Sequence, residues 1–107
     1  MNKLHLSPKA QDDLMEIKDY IRTDLQNPSA ALAVVSKITA DIRMLRTFAN
    51  AGTPLASIVK IETDYRFLVS GNYMSFYRLY AGEVYVDRIL YARSDYLRIL
   101  LGDRDEN

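Results

Sequence analysis

Four arginines, Arg66, Arg78, Arg88 and Arg93, are threaded among seven of the chain's eight tyrosines between Tyr65 and Tyr96. Arginine grips anions such as phosphate, and tyrosine adds a large apolar ring with a polar tip. A surface that presents both is the part of this protein suited to touching another molecule. For any single one of these tyrosines, packing in the core or at an interface is the leading reading. Groups for proton transfer and metal chemistry are sparse by comparison. His5 is the only histidine, and in a terminal strand without ligand partners nearby it is expected to be structural and to bind no metal. With no cysteine there is no thiolate nucleophile, disulfide framework or cysteine-based zinc site. No cofactor is expected.

Three strands must position the arginines. Residues 65–70 (YRFLVS), 73–80 (YMSFYRLY) and 83–91 (EVYVDRILY) are rich in β-branched and aromatic side chains. Gly71-Asn72 suits a primed hairpin turn, because glycine tolerates positive φ at the first central position, and Ala81-Gly82 can make the second turn. Alternate strand residues point to opposite faces, so Arg78 and Arg88 need not both be exposed. Arg93 and Tyr96, beyond the last strand, are the better-placed pair for contact.

Upstream, residues 3–6 form a short strand with Leu4 and Leu6 on one face. Ser7 as N-cap and Pro8 at the first helical position open a helix, with Asp12 and Asp13 early in it where negative charge suits the dipole. Ala10, Leu14, Ile17, Ile21 and Leu25 make its apolar stripe. The signal repeats with Asn27, Pro28 and the stripe Ala31, Val35, Ile38, Ile42 and Leu45. The short connection at 25–28 folds the two helices into an antiparallel hairpin that covers one side of the sheet. In 49–64, Gly52 and Pro54 break the helix and Ser57 to Glu62 are expected to add an extended segment. A short helix runs from a Ser94 N-cap to a Gly102 C-cap and must dock on the sheet or on a partner, because so short a helix is not stable alone. The fold class expected is therefore α+β: an N-terminal strand, an αα-hairpin on a mainly antiparallel sheet, and a short C-terminal helix.

Length and charge narrow the function classes. A chain of 107 residues supports one domain, 1–107, with a polar tail over 102–107. Fourteen basic and fourteen acidic side chains cancel, which argues against a strong non-specific grip on nucleic acid. The opening MNKLHLSPKA has no signal-peptide apolar run and no segment reaches membrane-spanning length, so a cytoplasmic protein with no membrane partner is expected.

In this order and spacing, the pieces LSPKAQDDLMEIKDYI (6–21, with Ala10, Asp13, Leu14 and Ile17), NPSAA (27–31), YRFLV (65–69), Gly71-Asn72-Tyr73, Phe76-Tyr77-Arg78, Arg88-Ile89-Leu90 and Arg93-Ser94-Asp95-Tyr96 carry a resemblance over nearly the whole chain. The chain resembles the RelE/ParE family of bacterial type II toxin–antitoxin toxins, and within it the ParE-like branch. The resemblance implies a toxin of a plasmid-stabilisation type of system, neutralised by a cognate antitoxin that wraps it. It also implies one of two targets: DNA gyrase for the ParE-like branch, or messenger RNA on the ribosome for the RelE-like ribonucleases.

Ribonuclease chemistry needs an activated 2′-OH and a stabilised phosphorane, through acid–base groups or a dense cationic cluster. RelE-like enzymes place an arginine after the tyrosine where this chain has Met74, and many relatives carry histidine where this chain has Tyr91. A phenol, with an ordinary pKa of about 10, is a poor substitute for imidazole as a base near neutral pH. The expectation is therefore gyrase inhibition by binding, without catalysis, with Arg66, Arg78, Arg88, Arg93 and Tyr96 as target-binding candidates and Leu97, Leu100 and Leu101 as antitoxin-binding ones. If the chain is instead a ribonuclease, Arg66, Arg93 and Tyr96 are the catalytic candidates. A third reading is a non-toxic interaction module that keeps only its antitoxin.

Overall fold

Residues 1–102 are described by the structure, a computed structural model; of the expected tail at 102–107, residues 103–107 lie outside the described residues. Strand β1 (Lys3–Leu6) leads through the Ser7 cap into helix α1 (Pro8–Asp19), which continues as one wide π-helical turn (Tyr20–Asp24). Helix α2 (Pro28–Met44) follows, capped by Asn27, whose side chain accepts the Ala30 N–H. A two-residue strand β2 (Thr53–Pro54) and a 3-10 turn (Leu55–Ser57) precede β3 (Arg66–Ser70), β4 (Tyr73–Tyr80), β5 (Glu83–Tyr91) and helix α3 (Tyr96–Leu101). The sheet order is β1-β5-β4-β3-β2, antiparallel except that β1 runs parallel to β5. The α+β fold is as expected.

The two hairpin turns follow from their residues. Gly71 has φ of 60° at the first central position. At the second turn Ala81 (φ 52°) and Gly82 (φ 77°) are both left-handed, the geometry whose twist matches that of paired strands. Alanine pays a steric cost there that glycine does not.

Alternation divides the sheet into two faces. Leu68, Tyr73, Tyr77, Leu79, Val84, Val86 and Ile89 join Ile17, Ile21, Ile38, Ile42 and Leu45 of the helical hairpin in one core. Phe67, Met74, Phe76 and Leu90 face the other way, toward Leu55, Tyr96, Leu97 and Leu100. Val86 and Ile89 are three residues apart and would face opposite sides of a regular strand. Their shared face comes from a bulge: Phe76 pairs with Arg88 and Tyr77 with Val86, leaving Asp87 as the extra residue.

Three expectations are corrected. Residues 57–62 form no strand; the edge pairing comes from Thr53–Pro54, where proline is tolerated because an edge strand can do without its N–H. Leu25 does not extend the α1 stripe and is 55% exposed, since the π-helical turn breaks the 3.6-residue period before it. The last helix starts at Tyr96, with Asp95 rather than Ser94 in the cap position; the Ser94 hydroxyl instead donates to the Tyr91 carbonyl at 2.6 Å. Asp13, early in α1, is buried.

Candidate functional site

The parallel strand β1 accompanies β5 only as far as Val86, so the outer edge of β5 is open from Asp87 onward. Ser7 closes the junction: its N–H donates to the Val86 carbonyl, and its hydroxyl donates to the Asp87 carbonyl while accepting the Ala10 N–H. That fixes the start of α1 beside the bulge and delivers Asp13 to the open edge. Its carboxylate accepts two bonds from the Arg88 guanidinium (Nε to Oδ2 2.8 Å, Nη2 to Oδ1 2.9 Å) and a third from the Ile89 N–H (2.8 Å). The Asp13 hydrogen bonds raise the Arg88 pKa, outweighing the opposing effect of burial. An open strand edge invites another strand, and here a carboxylate plugs it.

Above this pair runs a groove of about 600 Å³ between α1, the far ends of β4 and β5, and Ile99 of α3. Its walls include Glu16, Tyr20, Tyr73 and Tyr91. Burial first, then the neighbouring Tyr91 and Tyr20, raise the pKa of the Tyr73 hydroxyl.

The arginines expected to act outward have different surroundings. Arg66 donates to the Gly52 carbonyl at 2.7 Å, in the loop that Tyr77 also anchors by accepting the Gly52 N–H (2.9 Å) and donating to the Ala49 carbonyl (2.8 Å). Arg88 is held by Asp13. Arg78 is exposed on the Phe76 face of the sheet, paired with Asp87 (Nε to Oδ2 3.1 Å) and lying 5.2 Å from the Tyr65 ring centroid. Tyr65 donates its hydroxyl to Asp87 at 2.6 Å, and burial followed by that bond pushes its pKa up to about 12. Arg93 is exposed on the loop between β5 and α3, which the Ser94 bonds to the Tyr91 carbonyl hold as a tight turn.

Tyr96 is half-buried, its ring centroid 5.3 Å from that of Phe76. Leu97 and Leu100 pack beside it and Leu101 is half-buried, while Ile99 is the exposed apolar residue of α3. Met74 is buried. Among the described residues no three His, Asp or Glu side chains converge as a metal ion would require, and no helix is long and apolar enough to cross a membrane. Sequence reasoning missed the Asp13–Arg88 pair, which spans 75 residues; the one trace of it was that both residues lie in the family-like pieces.

Residues 4–96 match the family described as the ParE toxin of the type II toxin-antitoxin system, parDE. A chain of the chromosomal ParDE TA system from P. aeruginosa is 27% identical, with 87% of this chain and 98% of that chain covered and a TM-score of 0.73. YafQ from E. coli is 14% identical, with 85% and 93% covered and a TM-score of 0.47. Comparison with curated proteins gave no match.

Proposed function

The chain belongs to the ParE toxin family of type II toxin–antitoxin systems, and from that premise we propose that it acts in the cytoplasm by binding and inhibiting DNA gyrase, without catalysis, in a system that stabilises a plasmid. Family membership implies a cognate antitoxin as partner. The observation that supports binding over cutting is the commitment of the arginines. Arg66 serves the 50–52 loop, Arg88 serves Asp13 and Arg78 serves Asp87, each already bonded to an internal acceptor. A ribonuclease site needs cations free to meet a phosphorane. Arg93 and Tyr96, at the end of β5 and the start of α3, are the proposed centre of the target-binding surface, with Arg66, Arg78 and Arg88 behind it.

The antitoxin is proposed to pack on the helical hairpin and the sheet edge, including the β3 edge beyond β2 where Val69 is exposed, and to contact Leu97, Leu100 and Leu101. Purified protein added to gyrase should block supercoiling and leave ribosome-bound messenger intact. Cutting of messenger on the ribosome, abolished by Arg93→Ala, would overturn this reading in favour of a ribonuclease. Full growth of cells expressing the chain alone would favour the non-toxic interaction module.

A further inference from the structure

Charge in the α1 groove does not balance. Asp13 and Arg88 neutralise each other, but Glu16 lines the same groove and reaches the Arg88 guanidinium electrostatically. Two carboxylates therefore face one guanidinium. One turn further along the same helix stands Tyr20, 51% exposed, and the β4 and β5 ends bring Tyr91, 44% exposed, and the half-buried Tyr73, whose ring centroid lies 5.8 Å from that of Tyr91 with the planes tilted by 59°. Aromatic faces attract cations, most strongly where water is partly excluded. The tyrosines and the surplus carboxylate thus select the same kind of ligand.

We propose that this groove seats a basic side chain, arginine or lysine, carried on an otherwise apolar segment of the cognate antitoxin. The identity of the occupant rests on the toxin–antitoxin reading above, whereas the preference for a cation rests on the groove alone. Apolar neighbours on the segment suit Ile17 and Ile99, which line the groove on either side. The occupant enters through side chains rather than as an added strand, because Asp13 already takes the Ile89 N–H that a strand would pair with. Nucleic acid is disfavoured by the surplus negative charge.

The full chain is titrated with N-acetyl-arginine amide and, separately, with N-acetyl-citrulline amide, which keeps the shape but not the charge, while tyrosine ring resonances are followed by NMR. The arginine derivative should move Tyr20, Tyr73 and Tyr91 saturably, and citrulline should bind about tenfold more weakly. Glu16→Gln, an exposed change that the fold should tolerate, should weaken the arginine derivative about fivefold. Equal binding of the two derivatives, no movement at these tyrosines, or indifference to Glu16→Gln would overturn the proposal.

The antitoxin encoded beside the chain supplies the second arm. Glu16→Gln and Tyr20→Leu should each lower its affinity, with the first effect fading in high salt. Unchanged antitoxin affinity in both variants would overturn the proposal while leaving the toxin–antitoxin reading intact. Loss of gyrase inhibition with antitoxin binding unaltered would also overturn it, assigning the groove to the target. Should no neighbouring protein bind while the arginine derivative still seats at the tyrosines, the antitoxin occupant falls and the cation preference stands.

Discussion

On the sheet face toward α1 and α2, the side chains of Ile38, Leu45, Tyr77, Val84 and Val86 are wholly buried, whereas α3, which covers part of the opposite face, contributes no buried residue at all. The cause lies in the lengths of the covering elements. Helices of 12 and 17 residues each carry a full apolar stripe, but a six-residue helix presents Tyr96, Leu97 and Leu100 and is held only by docking. The charges divide by whether α1 covers them, not by sheet face: Arg88 and Arg78 both lie on the Phe76 side, but Arg88 reaches Asp13 of α1 at the open β5 edge. Asp13 and Arg88 meet with side chains 9% and 22% exposed, while Arg78 and Asp87 meet at 46% and 22%. Arg88, covered by α1, is a structural part; Arg78 sits in an exposed pair, and Arg93 beyond β5 is exposed.

Asp13→Ala should break that comparison most severely. It leaves the Arg88 guanidinium and the Ile89 N–H without their shared acceptor, and should cost about 3–5 kcal/mol in denaturant unfolding. Arg78→Ala, which opens only the exposed pair, should cost about 0–1 kcal/mol in the same measurement. Equal costs would mean that cover by α1 does not set the two pairs apart. Between these extremes lies Gly52→Ala, whose new Cβ would sit 2.6 Å from the Tyr77 ring and hydroxyl and 2.8 Å from the Phe67 carbonyl. Crowding a buried anchor of the first face should cost about 1–3 kcal/mol.

The smallest effect is one of pH. Tyr65, on the second face, has its pKa raised from 10.0 to about 12, so the folded state holds the phenolic proton more tightly than the unfolded chain does. The associated stability is fully present below pH 10 and is lost as pH rises through about 12. Comparing wild type with Tyr65→Phe across this range should show a stability difference that is flat below pH 10 and narrows above it. A difference that grows with alkalinity would contradict the assigned hydrogen bond to Asp87.

Local signals made most of this legible. Ser7-Pro8 and Asn27-Pro28 mark both helix starts, Gly71 and Ala81-Gly82 mark both hairpins, and β4 and β5 fall on the residues read as strands. What escaped was set by distant partners. Asp13 looks like any acidic residue near a helix start until the bulge at Asp87 and the end of β1 at Leu6 bring the Ile89 N–H to it. Residues 57–62 have strand-like composition, yet the neighbouring position on the sheet is already taken by Thr53–Pro54. The grouping of Tyr20 with Tyr73 and Tyr91 likewise exists only once α1 is laid beside the ends of β4 and β5.

The central claim, that inhibition comes from a binding surface at the end of β5, is tested most directly by gyrase supercoiling with Arg93→Ala at equal concentrations of folded protein. Arg93 is exposed, so its loss should leave folding intact while raising the amount of protein needed for inhibition about tenfold, the scale of one interface anchor. Inhibition by Arg93→Ala at wild-type concentrations would contradict the account.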